Sequence, residues 1–168
     1  MKAILPALFA ALLVTNLAHA VPQAVGNGIF GAAGVAFEKY AASAGPWAQG
    51  AELKGPWKVR AEKKGDIENL DLAAEAVVFG IPASQISAER SAGIVRRITV
   101  RFDEGKMKSA KTNPGGLYAQ VIANITALAG EPKQTSPGGE KSFRYESSLI
   151  TARKSGGKEV SVDFTPAK

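Results

Sequence analysis

Residues 94–102 read Ile94-Val95-Arg96-Arg97-Ile98-Thr99-Val100-Arg101-Phe102. Ile98, Val100 and Phe102 alternate with Arg97, Thr99 and Arg101, the two-residue period of a strand with one buried face and one wet face. Just upstream, residues 85–90 form a second extended run, and Ser91-Ala92-Gly93 between the two supplies the turn of a hairpin. Residues 142–152 and 158–165 repeat that arrangement around Ser155-Gly156-Gly157, with Val160, Val162 and Phe164 toward the core. Toward the N-terminus, Trp57, Val59 and Ala61 alternate with Lys58, Arg60 and Glu62, a further half-buried strand ending at the turn Lys63-Lys64-Gly65-Asp66.

Between these strands the periodicity turns helical. Phe30, Ala33, Phe37 and Tyr40 are spaced for one face of a helix over residues 29–43, although Gly31 and Gly34 each weaken it by about 1 kcal/mol relative to alanine. The Gly-Pro-Trp stretches at Gly45-Pro46-Trp47 and Gly55-Pro56-Trp57 read as turns within a loop. Residues 67–79 fit two templates: Leu70, Leu72, Ala74, Ala76 and Val78 suit a strand, whereas Leu70, Ala73, Ala74, Val77 and Val78 suit a helix. Their alanine content favours the helix, with Gly80 and Pro82 as its stop. The clearest helix follows Asn113 and Pro114, an N-cap and first-turn proline; Leu117, Val121, Ile125 and Leu128 form its apolar stripe, and Gly130 with Pro132 ends it.

The expected fold is therefore α+β: an antiparallel sheet built from hairpins, two or three helices packed on one face, and an internal repeat. The repeat rests on Phe79-Gly80-Ile81-Pro82 set beside Ala129-Gly130-Glu131-Pro132, and on Ala88-Glu89-Arg90-Ser91-Ala92-Gly93 set beside Ala152-Arg153-Lys154-Ser155-Gly156-Gly157. A Gly-x-Pro after a helix and a glycine-containing hairpin, over residues 70–164, resemble the tandem helix-plus-hairpin units of exported proteins such as the β-lactamase inhibitor family and the small outer-membrane assembly lipoproteins. What that resemblance implies is a protein that binds other proteins; it carries no functional residue over.

At the N-terminus, Lys2, the apolar run of residues 3–17 and Ala18-His19-Ala20 compose a cleavable export signal. The run is shorter than the roughly 20 apolar residues of a membrane span and is broken by Pro6 and Asn16, so no transmembrane segment is expected after cleavage. Residues 1–20 are then the signal peptide and residues 21–168 a single domain, periplasmic or secreted, opening with a short leader. The absence of cysteine rules out a disulfide scaffold and a lipid attachment site.

Cleavage removes the only histidine, His19, leaving 20 Lys and Arg against 15 Asp and Glu, an excess that is dispersed rather than clustered. That composition suits an envelope or extracellular protein partner, or anionic envelope polymers, and gives no reason to expect nucleic acid or a cofactor. Histidine bases, cysteine nucleophiles and His/Cys zinc sites are excluded. Ser155-Gly156-Gly157-Lys158 has the spacing of a Ser-x-x-Lys nucleophile but sits in a hairpin turn instead of a helix start. Asp66, Glu68, Asp71 and Glu75 offer oxygen ligands or acid–base carboxylates, though they read more simply as a solvated acidic segment. Asp103-Glu104 reads as a turn, and the Asn124-Ile125-Thr126 glycosylation pattern falls inside a helix. Arg97 and Arg101 on the outward strand face, with Arg144 nearby, are the candidate basic contact surface; Trp47 and Trp57, with Phe143 and Tyr145, are candidate stacking groups. The leading expectation is a non-catalytic binding or assembly module. A carboxylate-based hydrolase or envelope-modifying enzyme, and a carrier of an apolar ligand needing a cavity of about 300 Å³, are the alternatives.

Overall fold

A computed structural model describes residues 29–30, 34–60, 65–106 and 115–168. The export signal, the leader, the Lys63-Lys64 turn positions, and Asn113 with Pro114 lie outside the described residues. In chain order the elements are α1 (Phe37–Ala42), β1 (Trp57–Val59), β2 (Ile67–Leu72), β3 (Val77–Val78), β4 (Ile81–Pro82), β5 (Gln85–Ser91), β6 (Ile94–Asp103), α2 (Gly116–Ala129), β7 (Gln134–Thr135), β8 (Lys141–Tyr145), β9 (Ser148–Lys154) and β10 (Glu159–Pro166). Short 3₁₀ turns at Gly45–Trp47 and Glu104–Lys106 complete the described structure.

Eight strands form one antiparallel sheet in the order β1-β2-β5-β6-β10-β9-β8-β7, and β3 and β4 pair separately. Each half of the large sheet is a four-strand meander, and the halves meet where β6 lies antiparallel to β10, with Phe102 opposite Val160 and Ile98 opposite Phe164. The alternation in β6 and β10 decides which face is which. Val59, Leu70, Ala88, Ile98, Phe164, Ile150 and Phe143 stand in one cross-strand row on the inner face. From Leu70 to Phe143 that row is buried, and only Val59, at the sheet edge, is exposed. Leu117, Val121 and Ile125 of α2 cover this face over β8, β9 and β10, while Phe37, Tyr40 and Ala41 of α1 join the same core beside β9 and β3. A lone two-sided sheet would leave its apolar row wet; the helices remove that row from water.

Several expectations are corrected. Residues 67–79 hold no helix. Residues 67–72 form β2, hydrogen-bonded on both sides by β1 and β5, so Leu70 and Leu72 gain a buried row that outweighs the helical preference of the alanines after them. Gly80 and Pro82 are not a helix stop: Phe79 and Gly80, with φ of 53° and 72°, form the two-residue turn between β3 and β4. The paired Gly-x-Pro segments are accordingly not equivalent, since only Gly130 caps a helix. The extended run at 142–152 is two strands, reversing at Glu146 and Ser147 between Tyr145 and Ser148, because pairing with β9 on one edge gives β8 a partner that a single long strand would lack. The first helix spans Phe37–Ala42 alone. The later helix follows Gly115, whose φ of 108° suits glycine, and no side chain among the described residues caps it. The hairpin at Ala92-Gly93, the turn at Ser155-Gly156-Gly157 and the β9–β10 pairing stand as expected.

Candidate polar-face binding site

The outer face of the sheet carries a second row that crosses all eight strands: Lys58, Asp71, Ser87, Thr99, Asp163, Thr151, Ser142 and Gln134. Every member is polar. A parallel row beside it runs Gln85, Arg101, Ser161, Arg153. Over part of this face the side chains enclose a local hollow, the trough. A cavity of about 260 Å³ lies in it, lined by Arg60, Asn69, Arg97, Arg101, Arg153 and Ser161 among others.

Its charges are mostly paired. Arg60 reaches Asp71 at 2.6 Å, and Gln85 donates to the same carboxylate at 3.2 Å. The hydrogen bonds from Arg60 hold the Asp71 carboxyl below the usual carboxylate range, against desolvation, which pushes it up; Gln85 adds to the lowering. Arg97 meets Glu89, its cross-strand neighbour, at 3.2 Å. Asp163, buried at the centre of the face, accepts from Thr99 at 2.6 Å and from Arg153 at 2.9 Å. Arg101 stands between Gln85 and Ser161 in register and has no carboxylate partner among the described residues.

Arg97 and Arg101, singled out from alternation alone, are brought together in this cavity. Arg144 shares their face but lies on β8, opposite Leu149, with β9 and β10 between it and β6. Trp47 and Trp57 are on the other side of the sheet, packed against the core, where their indole N–H groups donate to Ser148 Oγ at 2.9 Å and to the Lys54 carbonyl at 2.8 Å. Phe143 is fully buried, and Tyr145 packs against the same core, so the four aromatics make no stacking platform beside the arginines. Arg60, Arg153, Ser161 and Asp163 were not legible as site residues. Alternation in β10 does put Ser161 and Asp163 on the wet face, but the registers of β6 and β9 against β10 are needed to place Arg101 and Arg153 beside Ser161.

The other candidate groups find structural roles. Glu68 binds Arg90 at 2.8 Å, so the acidic residues of this segment are spread along β2 and its flanks. Among the described residues, no three His, Cys, Asp or Glu side chains gather as a metal-ligand set. Asp103 accepts from the Gly105 N–H in the turn after β6. Asn124 donates to the Phe79 carbonyl at 2.7 Å, tying α2 to the β3–β4 turn. A second cavity, about 300 Å³, lies between residues 72–76 and 83–86, with Leu72, Ala76 and Ile86 in its wall. No family model matches the chain, and no curated protein or solved structure matches it.

Proposed function

We propose that the chain is an exported, non-catalytic binding module that recognises an envelope or extracellular protein through the outer face of its sheet. One observation carries the reading: the inner face of the eight-stranded sheet is filled by helices and core, while the outer face presents a continuous polar row and an arginine-lined trough. Sheet faces of this kind give a rigid, pre-shaped surface, and rigidity lowers the ordering cost of association. Export is supported by the signal-like sequence of residues 1–20. An internal duplication, with each half a helix followed by a four-strand meander, is part of the proposal and is supported by the meeting of the two meanders at β6 and β10.

The carboxylate-enzyme alternative draws less support. Asp71 is held ionised by Arg60, the opposite of what a general acid needs, and Glu68 is engaged by Arg90. For the test, the full chain is expressed with its N-terminus intact and the product's mass determined; processing is expected to begin the mature chain at Val21. The product is then used as bait in native envelope extract at low and high salt, alongside Ser87→Trp, which obstructs the outer face, and Lys39→Glu, at the exposed position of the otherwise core-packed α1, as control. Retention of one stoichiometric protein at high salt by wild type and Lys39→Glu, and its loss in Ser87→Trp, is the expected result. Equal capture by Ser87→Trp rejects the outer face as the binding surface.

A further inference from the structure

Four guanidinium groups line or border the trough, those of Arg60, Arg97, Arg101 and Arg153, and three carboxylates, Asp71, Glu89 and Asp163, are paired with them. One unit of positive charge is left over among these seven groups, and it sits at Arg101. The reason is register. Arg97 is opposite Glu89, whereas Arg101 has the neutral Gln85 on one side and Ser161 on the other. Opposite charges placed directly across a pair stabilise a sheet, and here that opportunity is missing at one position in the middle of the face.

A second, independent feature lies beside it. Ser161 is only 3% exposed, it borders the cavity, and its hydroxyl has no hydrogen-bond partner among the described residues. Among the described residues no buried side-chain donor or acceptor is left unsatisfied, so the Ser161 hydroxyl is open to the cavity and can donate to an acceptor bound there. Directly opposed residues in a sheet have Cβ atoms about 4.5–5.5 Å apart, which brings the Arg101 fork and the Ser161 hydroxyl within reach of one small acceptor group.

We infer that Arg101 and Ser161 form a receptor for a single carboxylate, supplied by an Asp or Glu side chain of the partner protein, and this rests on the binding-module reading above. Charge complementarity selects the occupant. A lone surplus guanidinium with a hydroxyl donor matches a planar monoanion in two-point contact. A phosphate dianion or an anionic polymer would meet Asp71, Glu89 and Asp163 as repulsive neighbours. Those same carboxylates hold the other three arginines in place, so Arg101 is the guanidinium left available to a ligand.

The test uses ¹⁵N-labelled protein titrated with capped hexaglutamate, capped hexaglutamine and sodium acetate, read at the Arg101 Nε–H and the Ser161 amide. Hexaglutamate is expected to move both signals to saturation, hexaglutamine to move neither, and acetate to move the same two signals at comparable carboxylate concentration. Arg101→Gln weakens hexaglutamate binding by about tenfold or more, Arg101→Lys and Ser161→Ala by less. Unchanged amide spectra away from the trough verify that each variant folds; Arg101 is exposed, so Arg101→Gln serves even if the Ser161 change perturbs β10. Hexaglutamate binding that is equal in Arg101→Gln, shifts scattered over the surface, or acetate that leaves both signals unmoved each overturns the inference. Capture of the envelope partner by Arg101→Gln as by wild type sinks the carboxylate receptor and leaves the binding-module reading standing, whereas capture by Ser87→Trp sinks the module reading itself.

Discussion

Phe79 sits at φ 53°, a left-handed conformation that costs a non-glycine residue about 1–2 kcal/mol. Its ring is 6% exposed and stacks on Phe164 with centroids 6.0 Å apart, and burying a phenylalanine contributes about 1.5–3 kcal/mol before any cavity cost. Burial wins. Phe79→Gly relieves the backbone yet is expected to lower stability by about 2 kcal/mol, measured by urea denaturation. Asp71 illustrates a weaker effect. Because Arg60 lowers its folded-state pKa, the pair contributes stability that is complete above the ordinary aspartate value of about 3.9 and is lost as pH falls through the lower folded value. Both side chains are more than a third exposed, so Asp71→Asn should cost less than about 1 kcal/mol at neutral pH, and the difference from wild type should vanish in acid. Comparing thermal midpoints of the two proteins along a pH series checks the sign. At this scale Arg97 and Arg101 were readable, because alternation assigns a side chain to a face without further information. Arg153 was not, since its place beside Ser161 depends on which strand becomes the neighbour of β10.

Among elements, the β5–β6 hairpin was the most legible, since two alternating runs and a short glycine-containing turn are local signals. Its turn also carries a correctable defect. Ala92 is exposed at φ 50°, next to Gly93 at φ 74°, and Ala92→Gly or Ala92→Asn should raise stability by about 0.5–1 kcal/mol, seen as a higher urea midpoint with unchanged slope. No change, or a loss, would show that chain entropy in the unfolded state outweighs the relieved strain. The segment at 67–79 was misread because helix preference and strand alternation both fit it, and the arbiter is pairing with β1 and β5, which lie before and after it in the chain. The β8–β9 reversal was missed for a different reason: Glu146-Ser147 contains no Gly, Pro, Asn or Asp, Ser is only a weak turn signal, and Glu146 at φ 50° holds the turn by virtue of the sheet around it.

At the scale of the molecule, stability should be graded from the centre of the sheet outward. β6 and β10 each have partners on both edges and fully buried Ile98, Val100, Val162 and Phe164, while β1 and β7 are short edge strands. Native-state hydrogen exchange should therefore show slowest exchange along β6 and β10 and fastest at β1 and β7, and equal protection at the two-residue β7 would contradict the gradient. The joint between β6 and β10 brings residues about sixty positions apart into register, so both the core row and the polar row close only when the two meanders meet.

The sequence alone determined the α+β class, the wet and dry sides of β6 and β10, the late helix with its Leu117, Val121 and Ile125 stripe, and the absence of histidine and cysteine chemistry from residues 21–168. Each of these follows from composition or from a period of two or 3.6 residues, which nearby positions are enough to set. Only the tertiary structure decided that residues 67–72 are a strand, that the tryptophans belong to the core side, and that Arg101 alone among the trough arginines faces no carboxylate among the described residues. Those outcomes depend on strand order and register across large sequence separations, where burial and cross-strand pairing outweigh local preference.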